Sequence, residues 1–392
     1  MIRLAIITSH PIQYNAPWFS LLAQSLVIKP KIFYTWSQTE TGAKYDPGFG
    51  IAIEWDIPLL DGYAYTFVQN TSKKPGSDHF EGIINPTLIN EVSEWKPDAV
   101  LIIGWNFKSH LKALRYFHSK IPVLFRGDST LLGNRNWVKR LIRYILLKWV
   151  YKHVDMALYV GTENKKYFIK YGLKENELAF TPHAIDNDRF SKIANAGKLK
   201  AHNLKRNLKI PGSDKILLYA GKLESVKDPE VLIRAFVESA LTTVHLIIVG
   251  SGPLETILKV KYKDVPGLHF IPFQNQSDMP IYYELCDVYV LPSKSETWGL
   301  AVNEAMACAR AVVVSDKCGC STDLVIEKIN GMIFKTGNIN ELSKKLKIIF
   351  DKSSDLMHMG RHSLQKIQYF SFNKIVETLE IILPSLIIEK KK

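Results

Sequence analysis

Two glutamates separated by seven residues, Glu296 and Glu304, bracket a turn in the stretch SKSETWGLAVNEAMACARAVVVSD, Ser293 to Asp316. An apolar strand, Asp287 to Leu291, precedes it. A short helix opens near Gly299 and Leu300, and a second strand, Ala311 to Ser315, closes it. A helix that begins beside the carboxyl end of a parallel strand presents unpaired N–H groups and the positive end of its dipole to whatever sits above the sheet. That is a seat for an anion such as a diphosphate. Glu296 precedes the helix and Glu304 lies one to two turns inside it, so the pair can touch two parts of one elongated ligand. A sugar and a ribose fit, because a carboxylate accepts two hydroxyl hydrogen bonds in a fixed fork. Spacing alone leaves open that both are solvated surface charges.

A second cluster follows the strand LLYAG, where Gly221 leads into Lys222 and Lys227. Two cations beside a helix N-terminus can neutralise the about two to three negative charges of a departing nucleoside diphosphate without a metal. Lysine supplies a point charge where arginine supplies a fork, so the grip is looser. Gly250-Ser251-Gly252 follows the strand HLIIVG and precedes a helix. As a dinucleotide fingerprint it is weak, since Glu255 stands where a third glycine would allow close helix packing.

The segment ETWGLAVNEAMA strongly resembles the E-x7-E signature of retaining glycosyltransferases of family 4, which have the GT-B fold. AGKLESVKDPEVLIRAF resembles that family's G-R-L-x-x-x-K-G-x-x-x-L-I-x-A segment, with Lys222 where arginine is commoner and Asp228-Pro229 in place of the glycine. The family's V-G-x-G-P turn matches Gly250 to Pro253, and Gly319 in KCGCSTDLV resembles its next glycine-rich turn, with a cysteine for the second glycine. TPHAIDNDRF, Thr181 to Phe190, looks like the family's interdomain linker. The resemblance is strong in residues 215 to 335 and general in the first half.

It implies an α/β chain of two Rossmann-like, doubly wound domains facing each other across a cleft. Residues 1–185 would form the acceptor-side domain, 186–372 the nucleotide-sugar domain, and 373–392 a helix returning to the first. The implied reaction moves a hexose from a UDP- or GDP-type nucleotide diphosphate sugar to a hydroxyl of a glycan or lipid-linked saccharide. Such steps build bacterial surface polysaccharide, lipopolysaccharide included. The configuration would be retained and no metal or other cofactor used. Glu296 would hold sugar hydroxyls and Glu304 the ribose. Lys222, Lys227 and the turn at Gly299 and Leu300 would hold the phosphates, with Gly221, Gly250 and Gly252 near the nucleotide.

Three strand ends of the first half are expected at the site: Ser9 to Tyr14, Gly104 to Asn106, and Arg126 to Ser129. The family often has glycines in the first of these loops and a histidine in the third, so acceptor recognition does not carry over. His10 or Asp128 is expected to contact the acceptor hydroxyl, Arg126 to face the donor phosphate or the acceptor, and Gln13, Tyr14, Trp105 and Asn106 to line the acceptor side. A nucleotide-sugar 2-epimerase of the same fold and a catalytically silent nucleotide-sugar-binding subunit are the alternatives. The epimerase lacks an evident group for proton abstraction.

The elements that position these residues alternate between strand and helix, which argues for parallel sheets covered on both faces. Strands are expected at Arg3–Thr8, Ala99–Ile103, Pro122–Phe125 and Met156–Val160, then at Lys215–Ala220, Val244–Val249, His269–Ile271, Asp287–Leu291 and Ala311–Ser315. Helices are expected at Ala16–Leu26, Asn85–Trp95, Lys108–Ser119, Asn134–His153 and Glu163–Tyr171. A last helix, Asn373–Leu383, carries the stripe Ile375, Val376, Leu379, Ile382 and Leu383, suited to docking on the first domain. Between Trp36 and Asn70 the pattern reads as loop or irregular hairpin.

At 392 residues the chain suits two domains. Its 46% apolar and 23% charged residues are those of a globular, water-soluble protein. No uncharged apolar run reaches the roughly 18 residues a membrane span needs, and no signal-peptide profile follows Met1, so a cytoplasmic location is expected. Asp186-Asn187-Asp188 follows a proline turn and is not placed like a metal-binding D-x-D. Cys286, Cys308, Cys318 and Cys320 lack zinc spacing and read as reduced structural thiols.

The net charge of +13 concentrates between Lys108 and Lys152, with eleven Lys and Arg against Asp128 alone. An anionic membrane surface suits that block, and no nucleic-acid module accompanies it. Within it, Val138, Leu141, Ile142, Ile145 and Trp149 share one helical face, with Arg135, Lys139 and Arg143 near the opposite one. Two placements follow. The stripe packs into the core behind a basic outer edge, or it rests on an anionic membrane at whose surface the protein is peripheral.

Overall fold

The computed structural model describes residues 1–37, 44–46, 48–133, 137–351 and 355–391. The chain divides into two compact units. One comprises residues 1–42, 58–182 and 372–392, the other residues 43–57 and 183–371. The break falls at Pro182–His183, three residues before the expected one, and residues 43–57, expected with the first unit, belong to the second.

Through the first part of the chain the strands are β1 (Ile2–Thr8), β2 (Ile28–Tyr34), β3 (Lys44–Asp46), β4 (Ile51–Ile53), β5 (Tyr65–Phe67), β6 (Ala99–Ile103), β7 (Val123–Arg126), β8 (Met156–Tyr159) and β9 (Leu178–Phe180). The first unit is built on a parallel sheet in the order β5-β2-β1-β6-β7-β8-β9. Parallel strands need crossover helices, which cover both faces, so central strands such as VLFR and LAIIT are apolar without alternation. Strand order reverses between β1 and β6, and this switch point is where loops diverge above a doubly wound sheet.

Two elements of this unit differ from expectation for identifiable reasons. Pro30 hides β2 from a strand reading, because proline cannot donate to a ladder. The structure accommodates it where β2 has β1 on one side only, since β5 pairs from Ile32 onward. The last helix continues through Pro384 and spans Phe372–Lys390. Ile375, Leu379, Leu383 and Leu386 are buried along it, and Thr378 donates to the Phe180 carbonyl (3.1 Å), so the terminal helix does pack on the first unit.

The helix expected at Asn134–His153 spans Trp137–Tyr151; Asn134, Arg135 and Asn136 lie outside the described residues. Its core face is Leu147, Val150 and Tyr151. Most of the stripe that one placement put in the core points outward instead, with Val138, Leu141, Ile142 and Ile145 exposed, while Trp149 packs against the core. No helix among the described residues is long and apolar enough to cross a membrane.

The second unit continues with β10 (Lys215–Ala220), β11 (Val244–Val249), β12 (Leu268–Ile271), β13 (Val288–Leu291), β14 (Ala311–Ser315) and β15 (Gly331–Phe334), a parallel sheet in the order β12-β11-β10-β13-β14-β15. Its switch point lies between β10 and β13. The antiparallel β3–β4 pair is the irregular hairpin expected after Trp36. It is tied into this unit by Phe49 packed edge-on against Phe273 and by Asn275, which donates to the Glu54 carbonyl at 2.7 Å.

Candidate active site

The glutamate stretch and the lysine segment leave the sheet at its switch point, one after β13 and the other after β10. Neighbouring strands thus bring together residues some seventy positions apart. The two loops are braced to each other, since Lys294 N donates to the Val226 carbonyl (2.8 Å) and its ammonium pairs with Asp228 (3.0 Å). Beneath them the Tyr219 hydroxyl donates to the Lys222 carbonyl (2.7 Å), and Ser315 donates to the Ser293 carbonyl (2.6 Å). Asp228 stands where the resembling family has glycine, and its φ of +52° shows that the position needs a left-handed backbone. Aspartate tolerates this region better than most side chains. Burial pushes its carboxyl up, with Lys294 opposing.

Three glycine turns let backbones approach where a side chain would collide. A Cβ at Gly250 would lie 2.0 Å from the Gly221 carbonyl oxygen, one at Gly252 2.7 Å from that of Leu223, and one at Gly319 1.9 Å from that of Thr297. The last approach sets the glutamate loop. Gly319 N donates to the Glu296 carbonyl, Glu296 N to the Lys317 carbonyl, and Cys320 N to the Trp298 carbonyl, each at 3.1 Å. Gly299, at φ +107°, then starts the helix Leu300–Ala307.

The side chains converge in pairs. Lys227 donates to Glu296, and both are largely buried. Lys222 pairs at 2.9 Å with Asp46, on the β3–β4 hairpin. Burial acts against the Asp46 charge, but the Lys222 hydrogen bond and the N–H groups of Phe49 and Gly48 hold its carboxyl below the usual carboxylate value. Glu304 is 4% exposed and accepts from the Tyr283 hydroxyl at 2.8 Å, so it is no solvated surface charge. Among the described residues, Lys222, Lys227, Glu296, Gly299 and the Gly250–Gly252 turn therefore share one end of one sheet.

In the first unit the expected loops also leave the carboxyl ends of their strands. His10 accepts or donates at Nδ1 with Ser9 Oγ (3.0 Å) and meets Trp36 edge-on. Trp105 packs against the core, Asn106 is exposed, and Gln13, Tyr14 and Asp128 are half-buried. Arg126 departs from expectation. It is 5% exposed, and its guanidinium donates to the carbonyls of Thr181 (2.8 Å) and Pro182 (3.0 Å) and to the Thr181 hydroxyl. Burial pushes it down to about 10, with Asp128 opposing. Its donors brace the chain after β9.

His110 was not anticipated, and a histidine inside an apolar helix face gives no signal. It is fully buried, bonded at Nε2 to Thr35 (2.9 Å) and at Nδ1 to the Gly104 carbonyl (2.9 Å), so it joins the loops after β2 and β6. Burial pushes it down to about 4. The folded state thus holds it neutral while the unfolded chain takes a proton below the ordinary value of 6.5. Stability is fully present above that value and falls as pH drops toward 4, by up to about 3 kcal/mol for this group. Urea unfolding of wild type and His110→Gln across this window checks it, the variant showing the shallower pH dependence.

Asp186 is occupied as a helix cap, accepting from Arg189 N at 2.9 Å. The described residues hold no cluster of His, Cys, Asp or Glu suited to a metal, and the four cysteines are free and buried.

Residues 201–365 match the family model of glycosyl transferases group 1. Over 272 residues the chain is 25% identical to an N,N'-diacetylbacillosaminyl-diphospho-undecaprenol alpha-1,3-N-acetylgalactosaminyltransferase of Campylobacter jejuni, covering 66% of this chain and 69% of that one. It is 30% identical over 216 residues to an uncharacterized glycosyltransferase of Haemophilus influenzae, covering 54% and 60%. Among solved structures, HepE of Anabaena in complex with UDP-glucose superposes with a TM-score of 0.70 at 15% identity, covering 98% of this chain and 100% of that one. At that identity the likeness speaks for the fold alone.

Proposed function

We propose that this group 1 glycosyltransferase chain of GT-B fold moves a hexose, with retention, from a nucleotide diphosphate sugar to a hydroxyl of a glycan or lipid-linked saccharide. The observation that carries the reading is the convergence of Lys222, Lys227, Glu296 and the glycine turns at the switch point of one sheet. Ligands of doubly wound sheets bind there. The lipid-linked alternative draws on the Campylobacter relative, whose name includes a diphospho-undecaprenol substrate. Work on such an acceptor goes with a place at the inner face of the cytoplasmic membrane and with surface polysaccharide assembly.

Glu296 holds sugar hydroxyls, Glu304 the ribose, and Lys222, Lys227 and the N–H groups after Gly299 the diphosphate. The bond from C1 to the phosphate oxygen breaks as the acceptor oxygen bonds C1 from the same face. The acceptor proton passes to the departing phosphate oxygen, and the cations stabilise the charge that develops there. A metal is not needed for that step. His10 or Asp128 orients the acceptor hydroxyl.

Incubation with UDP- and GDP-sugars and candidate acceptors tests this. The expected result is release of UDP or GDP with an α-linked product from an α-linked donor. A changed sugar without acceptor consumption identifies an epimerase, and binding without release a silent subunit. Full transfer rates in both His10→Ala and Asp128→Asn would remove the role given to those residues.

A further inference from the structure

We infer that the helix Trp137–Tyr151 docks the protein on an anionic lipid bilayer, its outward apolar ridge set among the head groups and flanking cations paired with lipid phosphates. The helix is apolar on two opposite sides. Leu147, Val150 and Tyr151 fill the core of the first unit, while Trp137 (75% exposed), Leu141 (53%), Ile142 (62%) and Ile145 (64%) form a ridge on the other side. A surface helix ordinarily carries polar residues there, and a contiguous exposed apolar patch marks a surface that is covered in use.

The surroundings select the cover. Lys139 and Arg140 are exposed on the same turns as the ridge, round toward the opposite side of the helix, and Lys148, also exposed, stands beside it. Lys112 and Arg115, also exposed, lie on the helix Lys108–His118, whose Arg115 guanidinium sits 5.2 Å from the Trp149 ring, so that helix adds its charge beside this one. Asp128 is the sole acid in the segment 108–152. A second copy would set one basic block against another, which opposes association. An anionic bilayer satisfies both features at once, apolar side chains entering the acyl boundary and cations meeting the surface potential. The helix is too short and too charged to span, so it would lie in the plane of the interface.

The inference rests on the lipid-linked acceptor only for its purpose, and its test needs neither donor nor acceptor. Sedimentation with vesicles of phosphatidylcholine, alone or mixed with phosphatidylglycerol, is expected to bring down wild type with the mixed vesicles and to lose it as salt rises. Leu141→Glu/Ile145→Glu, at positions more than half exposed, is expected to keep the wild-type melting temperature and nucleotide-induced thermal shift. The same variant should weaken vesicle binding about tenfold or more, and Lys139→Glu/Arg140→Glu should weaken binding to the anionic vesicles alone. Failure to bind mixed vesicles, equal binding by the Leu141→Glu/Ile145→Glu variant, or a wild-type dimer that this variant disperses would each overturn the inference. A missing nucleotide shift with vesicle binding intact would count against the proposed activity and leave the docking standing.

Discussion

With Lys227 replaced by alanine, kcat is expected to fall by about 10²- to 10³-fold, about 3–4 kcal/mol of transition-state stabilisation, with a smaller change in donor KM. The diphosphate is already charged in the bound donor, but a further negative charge appears on the leaving oxygen as the glycosidic bond breaks. A cation fixed at that oxygen acts more on the transition state than on the ground state, so the loss falls on kcat. Lys227 is held by Glu296, itself fixed by backbone bonds to Lys317 and Gly319. Lys222 is paired too, but with Asp46, which unlike Glu296 is given no role at the donor, so phosphate has to displace that carboxylate. Lys222→Ala is accordingly expected to be the milder change, and Lys222→Arg to stay within about threefold of wild type, since a guanidinium serves a phosphate at least as well. Initial rates over a range of donor concentrations, with circular dichroism to confirm folding, provide the check. A raised donor KM with kcat unchanged for Lys227→Ala would assign it uniform binding only.

The second large effect comes from a residue without a side chain. Gly319→Ala is expected to lower stability by about 2–4 kcal/mol and to weaken nucleotide binding by more than about tenfold. The added Cβ would sit 1.9 Å from the Thr297 carbonyl oxygen and 2.8 Å from its carbon, both backbone atoms that no rotamer change can remove. The chain must part, and the bonds from Gly319 to Glu296 and from Cys320 to Trp298 part with it. Glu296 is then displaced from Lys227. Gly212→Ala is the control, since nothing lies within 4 Å of its would-be Cβ and its φ is not in the left-handed range. Its expected effect is neutral to slightly stabilising, through loss of unfolded-state freedom. Chemical denaturation and a thermal-shift panel of UDP, GDP and ADP measure both quantities.

Much of the second unit was legible in the sequence because several of its strands are largely apolar runs, two of them closed by Gly221 and Gly250. KILLYA, VHLIIV and AVVVS fold at the expected residues. The turns of the candidate site were legible too, since Gly250, Gly252 and Gly319 mark where backbones crowd at strand ends. What stayed hidden depends on partners distant in sequence. The assignment of residues 43–57 to the second unit rests on Phe273, Asn275 and Lys222, more than two hundred positions away from some of their partners. The bonds of Arg126 were not legible, because a basic residue at a strand end looks alike in sequence whether it meets a phosphate or, as it does here, the carbonyls of Thr181 and Pro182. The helix Trp137–Tyr151 shows a different limit. Periodicity finds an apolar face, but when Leu147, Val150 and Tyr151 form a second one, it does not say which faces inward.

The central claim is that a nucleoside diphosphate sugar is held where β10 and β13 diverge. A crystal structure with the donor chosen by thermal shift tests it most directly. The account predicts diphosphate density within hydrogen-bonding distance of Lys222, Lys227 and the N–H groups after Gly299, with Glu296 on sugar hydroxyls and Asp46 displaced from Lys222. Donor bound away from that sheet end, or Glu296 and Glu304 both without contact to it, would contradict the account.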